Sequence, residues 1–234
     1  MTPYYRDALV TIYNADCRAV LPELAQVDCV ITDPVWPNAL PSLAGGDRPQ
    51  ALFAEAAAHF PRLAKRLVVH LGCDSDPRFL LAVPPELPFL RACWLEYAVP
   101  QCKGTILYGS DVAYAFGEAP PLAGSVLPGR ITSGRVDFRS PPGAKKWNSK
   151  QMTRKGRERP HPCPRRLEHL RWLVRWFAHG AVLDPFCGIG TTLVAAKYAG
   201  LPAVGVEVEE RYCEVAARRL GQSVIPFPPA DEVV

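Results

Sequence analysis

The most informative segment of this 234-residue chain runs Ala181-Val182-Leu183-Asp184-Pro185-Phe186-Cys187-Gly188-Ile189-Gly190-Thr191-Thr192. Its pattern predicts a short apolar strand, a Gly-x-Gly turn and a helix that starts near Thr191. Glycine lets a ligand come close to the backbone, and the first turn of a helix offers unpaired N–H groups to an anionic group. The segment therefore predicts a ligand-binding turn at the end of a strand, although a purely structural turn has the same local pattern.

A second predicted strand, 203–208, carries Glu207 at its end, 17 residues after Gly190. A carboxylate in this position can accept hydrogen bonds from two ribose hydroxyls. The dinucleotide fingerprint needs a third glycine where Leu193 stands, and the Gly-Lys-Ser/Thr sequence of a phosphate-binding P-loop is absent. A nucleoside cofactor without a pyrophosphate fits better, and S-adenosyl-L-methionine is the obvious candidate.

Predicted strands and helices alternate along most of the chain. The strands are expected at 8–13, 27–32, 66–71, 89–99, 105–116, 181–183 and 203–208, and the helices at 18–25, 51–64, 164–179, 191–199 and 209–220. Alternation of this kind predicts an α/β fold, a mostly parallel sheet covered by helices on both faces. We expect a single domain over 1–222, a mostly irregular basic insertion at about 117–160 and a Pro-rich tail at 223–234.

Composition excludes several classes of protein. The chain is 48% apolar and 21% charged, which is typical of a globular domain rather than a disordered chain. No apolar run reaches 18 residues, and residues 1–7 lack the apolar core of a secretory signal, so a cytoplasmic protein is expected. The eight cysteines include no C-x-x-C pair and predict buried or half-buried thiols. Cys163 lies near His161, but no second ligand pair follows, so no metal site is expected.

Positive charge is concentrated in one part of the sequence. Residues 130–175 contain 14 Lys or Arg and three acidic residues, a net charge of +11, which leaves −7 for the rest of a chain whose net charge is +4. This asymmetry predicts a polyanion-binding surface, most plausibly for nucleic acid, against the alternative of a solvated charged face. The candidate contacts are Lys145, Lys146, Lys150, Arg154, Lys155, Arg157 and Arg159, in a loop at 141–160 that is expected to be mobile and to become ordered on DNA.

Three motifs in a fixed order resemble those of a known family. Residues 184–192 resemble the D-P-F-x-G-x-G-T-T cofactor motif of DNA amino-methyltransferases, and Asp33-Pro34-Val35-Trp36 resembles their catalytic D-P-P-Y/W tetrad. His161-Pro162-Cys163-Pro164-Arg165-Arg166 resembles the H-P-x-x-K/R-P stretch that precedes the cofactor motif. The catalytic tetrad comes first, as in the β subgroup, so the resemblance implies a circularly permuted Rossmann-like methyltransferase fold. It covers about residues 8–72 and 159–220.

The resemblance implies a catalytic role for Asp33, Pro34 and Trp36. The Asp33 carboxylate and the Pro34 carbonyl would accept the two N–H groups of an exocyclic base amine, and Trp36 would stack on a base turned out of the duplex. Val35 and Trp36 replace the commoner Pro and Tyr of the family, which leaves the carboxylate and the aromatic plane in place. Taken alone, Asp33 fits a strand-end turn residue and Trp36 a core aromatic better than these roles, and the cofactor motif reverses that preference.

The same resemblance implies a cofactor site. Its residues would be Asp16, Asp184, Phe186, Gly188, Gly190, Thr191 and Glu207, with Asp16 near the adenine of the cofactor. Asp16 also suits the N-cap of the helix predicted at 18–25, and both roles are compatible. Phe186 suits contact with the cofactor and packing under the loop equally well.

The resemblance implies methylation of adenine N6 in double-stranded DNA, because the cytosine-N4 enzymes of the family more often have Ser in place of the Asp. A cytosine-N4 enzyme, an RNA adenine-N6 enzyme and a catalytically silent nucleic-acid-binding module of the same fold remain alternatives. A nicotinamide-dependent oxidoreductase is disfavoured by Leu193. A homodimer and a cognate restriction endonuclease are the candidate protein partners.

Overall fold

The computed structural model describes residues 1–37, 43–103, 105–122, 125–133 and 165–222. Within these ranges the chain forms one mixed sheet with helices on both faces. None of the described helices is long and apolar enough to cross a bilayer.

Nine strands of the described residues form the sheet, in the spatial order β1-β2-β9-β8-β3-β4-β6-β5-β7. The strands are β1 Tyr5–Arg6, β2 Val10–Asn14, β3 Cys29–Thr32, β4 Arg66–Gly72, β5 Phe89–Lys103, β6 Ile106–Gly117, β7 Arg130–Ser133, β8 Val182–Asp184 and β9 Ala203–Glu207. The five central strands, from β2 to β4, run parallel, whereas β6 is antiparallel to both β4 and β5. The predicted α/β class with a mostly parallel sheet is confirmed.

The strand order reverses between β3 and β8. After β3 the chain continues to its neighbour β4 on one side, and after β8 it continues to β9 on the other side. The connections therefore diverge and leave a crevice at the carboxyl ends of β3 and β8, where open α/β sheets bind their ligands.

Two apolar clusters cover the two faces of the sheet. Helices α4 Leu167–Phe177, α5 Thr191–Tyr198 and α6 Glu210–Gly221 pack on one face, and α1 Cys17–Val20, α2 Pro49–Ala57 and α3 Phe60–Leu63 pack on the other. Neighbouring residues of β3 confirm this division, because Ile31 belongs to the first cluster and Val30 to the second. Alternate residues of a strand point to opposite faces, so a strand buried on both faces is apolar throughout.

Several predicted boundaries were wrong, for identifiable reasons. The helix expected at 18–25 is one α-turn followed by a 3-10 turn at Leu21–Glu23, which has Pro22 near its start. The helix expected at 51–64 is divided into α2 and α3, because Pro61 has no N–H to continue the hydrogen-bond ladder. The helix expected at 164–179 begins only at Leu167.

Two strands were missed. The two-residue strand β1 is too short to show a period, and β7 lies inside the region expected to be mostly irregular. Strand β7 is held by parallel pairing with β5, in which Trp94 faces Arg130. The rest of the basic insertion from 134 onward and the Pro-rich tail lie outside the described residues, so the predicted domain boundaries stay a prediction.

The described cysteines are mostly buried, as predicted. Cys17, Cys29, Cys93, Cys187 and Cys213 are buried free thiols. Cys73 is exposed, contrary to the expectation, because it follows β4 in a turn.

Candidate active site

Three carboxylates predicted to form the site lie at the carboxyl ends of adjacent strands. Asp33 follows β3, Asp184 ends β8 and Glu207 ends β9. Because β3, β8 and β9 are neighbours and run parallel, these residues meet at one edge of the sheet. The crevice between β3 and β8 therefore has Asp33 on one side and, on the other, residues 185–190 between β8 and α5, the glycine loop.

Both glycines of the glycine loop have a left-handed backbone, and the second of them serves packing. Gly188 and Gly190 have φ of 50° and 74°, a region that other residues rarely adopt. A Cβ atom on Gly190 would lie 2.9 Å from the Cβ of Ala216 in α6. The absence of a side chain at Gly190 thus lets α6 approach the loop, whereas we expected it to admit a ligand.

Glu207 fixes the conformation of this loop. One carboxylate oxygen accepts a hydrogen bond from Gly188 N at 2.9 Å, and the other accepts one from Glu209 N at 2.8 Å. Burial raises the pKa of Glu207, and these two backbone donors oppose that effect. Each oxygen keeps a further lone pair. The predicted contact with ribose hydroxyls stays a prediction.

Asp184 connects the loop to β3 from inside the protein. It is buried, and its Oδ1 accepts hydrogen bonds from Thr32 Oγ1 at 2.9 Å and Phe186 N at 3.1 Å. Burial raises the pKa of Asp184 to about 7, although hydrogen bonds from Thr192 and Thr32 lower it. These contacts give Asp184 a supporting role, and its direct contact with a cofactor stays a prediction. Thr32 was not singled out from the sequence.

The remaining cofactor candidates are also occupied by local contacts. Thr191 is buried, and its hydroxyl accepts a hydrogen bond from Arg219 at 3.1 Å. Phe186 packs against the cluster that contains α1 to α3, which agrees with packing under the loop. Asp16 accepts a hydrogen bond from Arg18 N at 2.9 Å, so its predicted N-cap role is confirmed. Its contact with a cofactor adenine stays a prediction.

Asp33 and Trp36 lie close together around a single arginine. The Arg165 guanidinium donates from Nε to Asp33 Oδ2 at 2.7 Å and from Nη2 to Oδ1 at 2.9 Å. Its central carbon is 4.5 Å from the centre of the Trp36 ring. Pro34 is buried, whereas Asp33 and Trp36 are half-buried. The structure therefore unites the three predicted catalytic residues, with Arg165 between the carboxylate and the aromatic ring.

Arg165 is held by a second carboxylate that sequence reasoning missed. Its Nη1 donates to Asp111 Oδ2 at 2.9 Å, and the same oxygen faces His70 Nε2 at 3.2 Å and accepts a hydrogen bond from the Tyr97 hydroxyl. The partners are distant in sequence and therefore share no local motif. One signal was available, because Asp111 is the one charged residue of the strand predicted at 105–116.

His70, Asp111 and His169 also have the composition of a metal site. One donor atom from each lies within 4.8 Å of the others, and all three are buried. The Asp111 oxygen already has three donors around it, one of them a guanidinium cation. An oxygen surrounded by three hydrogen-bond donors is a poor ligand for a metal ion. The expectation that the protein has no metal site stays a prediction.

The seven predicted DNA-contacting cations lie outside the described residues. The structure therefore does not place any residue of the basic loop 141–160 relative to the crevice. The described cations nearest to the loop in sequence are Arg130, before it, and Arg165, after it.

A family profile named N6_N4_Mtase and described as DNA methylase matches residues 92–218, more than half of the chain. YubD of Escherichia coli (strain K12), whose description is that of a methylase, is 39% identical over 64 residues, 26% of this chain and 28% of YubD. The type II methyltransferase M.ScaI of Streptomyces caespitosus is 46% identical over 41 residues, 18% of this chain and 14% of M.ScaI. The aligned segments thus span less than a third of either relative.

Solved structures of similar fold cover nearly the whole chain. M1.HpyAVI, solved as a complex with S-adenosylmethionine, has a TM-score of 0.63 and 20% identity over 91% of this chain and 100% of its own. The cytosine-N4-specific PvuII DNA methyltransferase has a TM-score of 0.64 and 15% identity over 95% of this chain and 90% of its own. At these identities the similarity establishes the fold, which is the methyltransferase fold predicted from the motifs.

Proposed function

The chain belongs to the N6/N4 family of DNA methylases, and on this premise we propose that it transfers a methyl group from S-adenosyl-L-methionine to N6 of adenine in DNA. The observation that carries the proposal is the crevice between β3 and β8. It has a carboxylate and an aromatic ring, Asp33 and Trp36, on one side and the glycine loop with Glu207 on the other.

The loop residues fit a nucleoside cofactor. The Gly188 N–H donates to Glu207 at the end of β9, and Glu207 is an acceptor that suits the two hydroxyls of a ribose. When bound, S-adenosyl-L-methionine supplies a methyl group on a sulfonium sulfur, an electrophile that a nitrogen lone pair attacks. The structural neighbour M1.HpyAVI was crystallised with this cofactor.

The opposite side of the crevice suits an exocyclic amine. The Asp33 carboxylate accepts one N–H of the amine, and the Pro34 carbonyl accepts the other, so that the nitrogen lone pair is freed from conjugation with the ring. Trp36 offers a stacking plane for a base turned out of the duplex, worth about 1–3 kcal/mol by analogy with single-strand binders. Asp33 and Trp36 lie before the region that the family profile matches, so these roles rest on their geometry and on the motif.

Adenine is favoured over cytosine by the acidic residue. Asp33 provides a full negative charge beside the amine, whereas the cytosine-N4 enzymes of the family more often place a Ser hydroxyl there. Double-stranded DNA is the proposed substrate, because residues 130–175 carry a net charge of +11. We further propose that the enzyme is a homodimer and that it belongs to a restriction–modification system with a cognate endonuclease.

The decisive experiment identifies the methylated nucleoside. DNA treated with the protein and the cofactor is digested to nucleosides and analysed by mass, and N6-methyladenine is the expected product. Asp33→Asn should abolish turnover but keep cofactor affinity in calorimetry, because Asp33 contacts the base. Asp76→Asn, at an exposed carboxylate that also binds an arginine, is the matched control and should remain active.

Other products would change the proposal in defined ways. N4-methylcytosine would replace adenine by cytosine as the target and keep the amino-methyltransferase class. 5-Methylcytosine would contradict the whole mechanism, because no exocyclic amine takes part in its formation. Methylation of RNA alone would contradict the choice of DNA, and the absence of cofactor binding by the wild-type protein would refute the enzymatic proposal.

A further inference from the structure

Arg165 is a largely buried cation with partners on three sides. Its side chain is 13% exposed and forms ion pairs with Asp33 and Asp111, and it packs over Trp36. Burial by itself would lower the pKa of Arg165, but Asp33 and Asp111 outweigh burial and raise it. The guanidinium thus remains charged beside the carboxylate that is proposed to bind the substrate amine.

Two roles are compatible with this position. A guanidinium is planar, donates two N–H groups to a carboxylate and stacks on an aromatic ring, so it occupies Asp33 and Trp36 in the way a target base would. Arg165 could then be a plug that leaves when the base enters. The alternative role is a fixed support that stays in place while Asp33 binds the amine through its remaining lone pairs.

The contacts of Arg165 favour the fixed support. A base that displaced Arg165 would leave the buried Asp111 carboxylate without its cation, and an uncompensated buried charge is strongly destabilising. Stacking of one base on Trp36 would offset only part of that cost. An ionised carboxylate has about four acceptor sites, and Arg165 uses two of those on Asp33, so two remain for an amine.

We propose that Asp111, held by His70 and Tyr97, is a positioning residue that fixes Arg165 and thereby orients Asp33 for methyl transfer. The inference rests on the proposed function. Asp111 contributes the charge of this support: burial alone would raise its pKa, but the hydrogen bond from His70 and the charge of Arg165 hold it below its usual range. His70 and Tyr97 orient the Asp111 oxygen that receives Arg165.

His169 lies beside His70 and Asp111 and carries no charge. Its Nε2 lies 3.1 Å from the Glu96 carbonyl oxygen, which can only accept, so Nε2 carries the proton and Nδ1 has no partner among the described residues. Burial lowers the pKa of His169 to about 4. His169 is therefore neutral near pH 7 and does not compete with Arg165 for Asp111.

The test combines kinetics with a readout that does not depend on activity. The protein variants are Asp111→Asn, which removes the charge and keeps the shape, and Tyr97→Phe, which removes one donor to Asp111 and serves as the milder change. Asp76→Asn is the surface control. The physical readout is hydrogen exchange of the Arg165 Nε–H group, followed by NMR and assigned by its absence in Arg165→Lys.

If Asp111 holds Arg165 in place, Asp111→Asn should change both kcat and the hydrogen-exchange rate of the Arg165 Nε–H group. Asp111→Asn should lower kcat about 10- to 100-fold, the range expected when a reacting group is misplaced by about 1 Å, with unchanged affinity for the cofactor and unchanged KM for DNA. The Arg165 Nε–H should exchange about tenfold faster or more, because the group opens more often. Tyr97→Phe should shift both quantities in the same direction by less, and Asp76→Asn should shift neither.

Three outcomes would overturn the inference. Tighter DNA binding or faster turnover in Asp111→Asn would show that Arg165 is a plug that the base must displace. Unchanged Nε–H exchange in Asp111→Asn would show that Asp111 does not hold Arg165. A stoichiometric transition metal in the purified wild-type protein would make Asp111 a metal ligand. If the wild-type protein methylates no DNA, the proposed function fails, while the exchange data still decide separately whether Asp111 holds Arg165.

Discussion

At the scale of single residues, the protonation of Asp184 makes stability depend on pH. Its folded-state pKa is about 7, against an ordinary value of 3.8, because the carboxyl group is buried. Between these values the folded chain keeps a proton that the unfolded chain has released, so the contribution of Asp184 to stability falls as the pH rises through this window. Above about pH 7 the carboxyl group is ionised in both states, and the whole contribution of Asp184 to stability has been lost.

Asp184→Asn should remove this dependence while it keeps an oxygen for Thr32 and Phe186 N. Relative to the variant, the wild-type protein should lose up to about 1.4 kcal/mol of unfolding free energy per pH unit between about pH 4 and pH 7. Urea unfolding of both proteins at several pH values measures the difference. Parallel stability curves for the two proteins would contradict a raised pKa at Asp184.

Gly190 allows a second test at the same scale, because the chain contains a matched glycine. Gly190 and Gly200 both have positive φ, 74° and 70°, but a Cβ on Gly200 meets no atom within 4 Å. Gly200→Ala should cost about 1–2 kcal/mol from backbone strain alone. Gly190→Ala should cost about 1–3 kcal/mol more, because the new Cβ overlaps Ala216.

Chemical denaturation of the two glycine variants measures this difference. Adding Ala216→Gly to Gly190→Ala should recover the steric part of the loss and leave the strain. Equal losses for Gly190→Ala and Gly200→Ala would show that α6 moves away freely, and the proposed packing role of Gly190 would then be wrong.

Individual residues also show what a sequence can and cannot reveal about a site. Asp33 and Glu207 could be located because each stands at the end of an apolar strand, and parallel strands bring such ends together. Arg165 was seen only as part of a motif, and Asp111 was not singled out at all. Their importance arises from pairing: Arg165 is 132 residues from Asp33 and 54 from Asp111, and such distances follow from the strand order rather than from a local pattern.

At the scale of elements, the buried arginine Arg66 joins β4, the start of β3 and the end of α4. Arg66 donates to the Phe177 carbonyl oxygen at 3.0 Å and forms an ion pair with Asp28. Asp28 also accepts a hydrogen bond from His179 N at 2.6 Å, just after the end of α4. These contacts anchor the helix that follows Arg165.

Arg66→Ala should therefore destabilise the protein by about 3 kcal/mol, near the lower end for breaking a buried pair because Asp28 is partly exposed. Arg78→Ala is the matched control, since the pair between Arg78 and Asp76 lies at the surface and should contribute about 0–1 kcal/mol. Urea unfolding at neutral pH compares the two variants. Similar losses would indicate that the Arg66 pair contributes no more than a surface pair.

Strands with a clear hydrophobic pattern were predicted well, whereas strand arrangements that depend on pairing with neighbouring strands were not. The four residues of β3 are all buried, and the apolar run Cys29-Val30-Ile31 within it predicts an inner strand directly. Strand β7 has an alternating polar sequence with two exposed residues and forms because β5 offers it an unpaired edge. The antiparallel insertion of β6 between β4 and β5 likewise depends on tertiary pairing, which no local propensity encodes.

At the scale of the whole molecule, the distribution of charge opposes the proposed substrate at the crevice itself. Asp33 and Glu207 lie at this edge of the sheet, and a DNA phosphate would be repelled by their charges. Arg165 compensates Asp33, but the net −7 outside residues 130–175 still disfavours a polyanion. We therefore expect affinity for DNA to come mainly from the basic segment, with a target base reaching Trp36 while the DNA backbone stays bound to those cations.

The salt dependence of DNA binding tests whether the basic segment supplies most of the affinity for DNA. Each phosphate contact made by a cation adds about −0.9 to the slope of log affinity against log salt concentration. Replacing Lys145, Lys146 and Lys150 by Gln should therefore make the slope less steep by about 2 to 3. The control replaces Lys65, Arg78 and Arg218, three exposed cations that pair with Glu118, Asp76 and Glu214, and should leave the slope nearly unchanged.

Both slopes can be measured by fluorescence anisotropy of a labelled duplex between about 50 and 200 mM salt. Phosphate contacts change affinity strongly over this range. Cofactor affinity should be the same in the two triple variants, since neither set includes a residue of the crevice. Equal slopes for the wild-type protein and the variant of the basic loop would contradict the assignment, because the loop would then make no phosphate contacts. A change in the control alone would place the DNA on the body of the sheet, where negative charge would have to be neutralised by a partner.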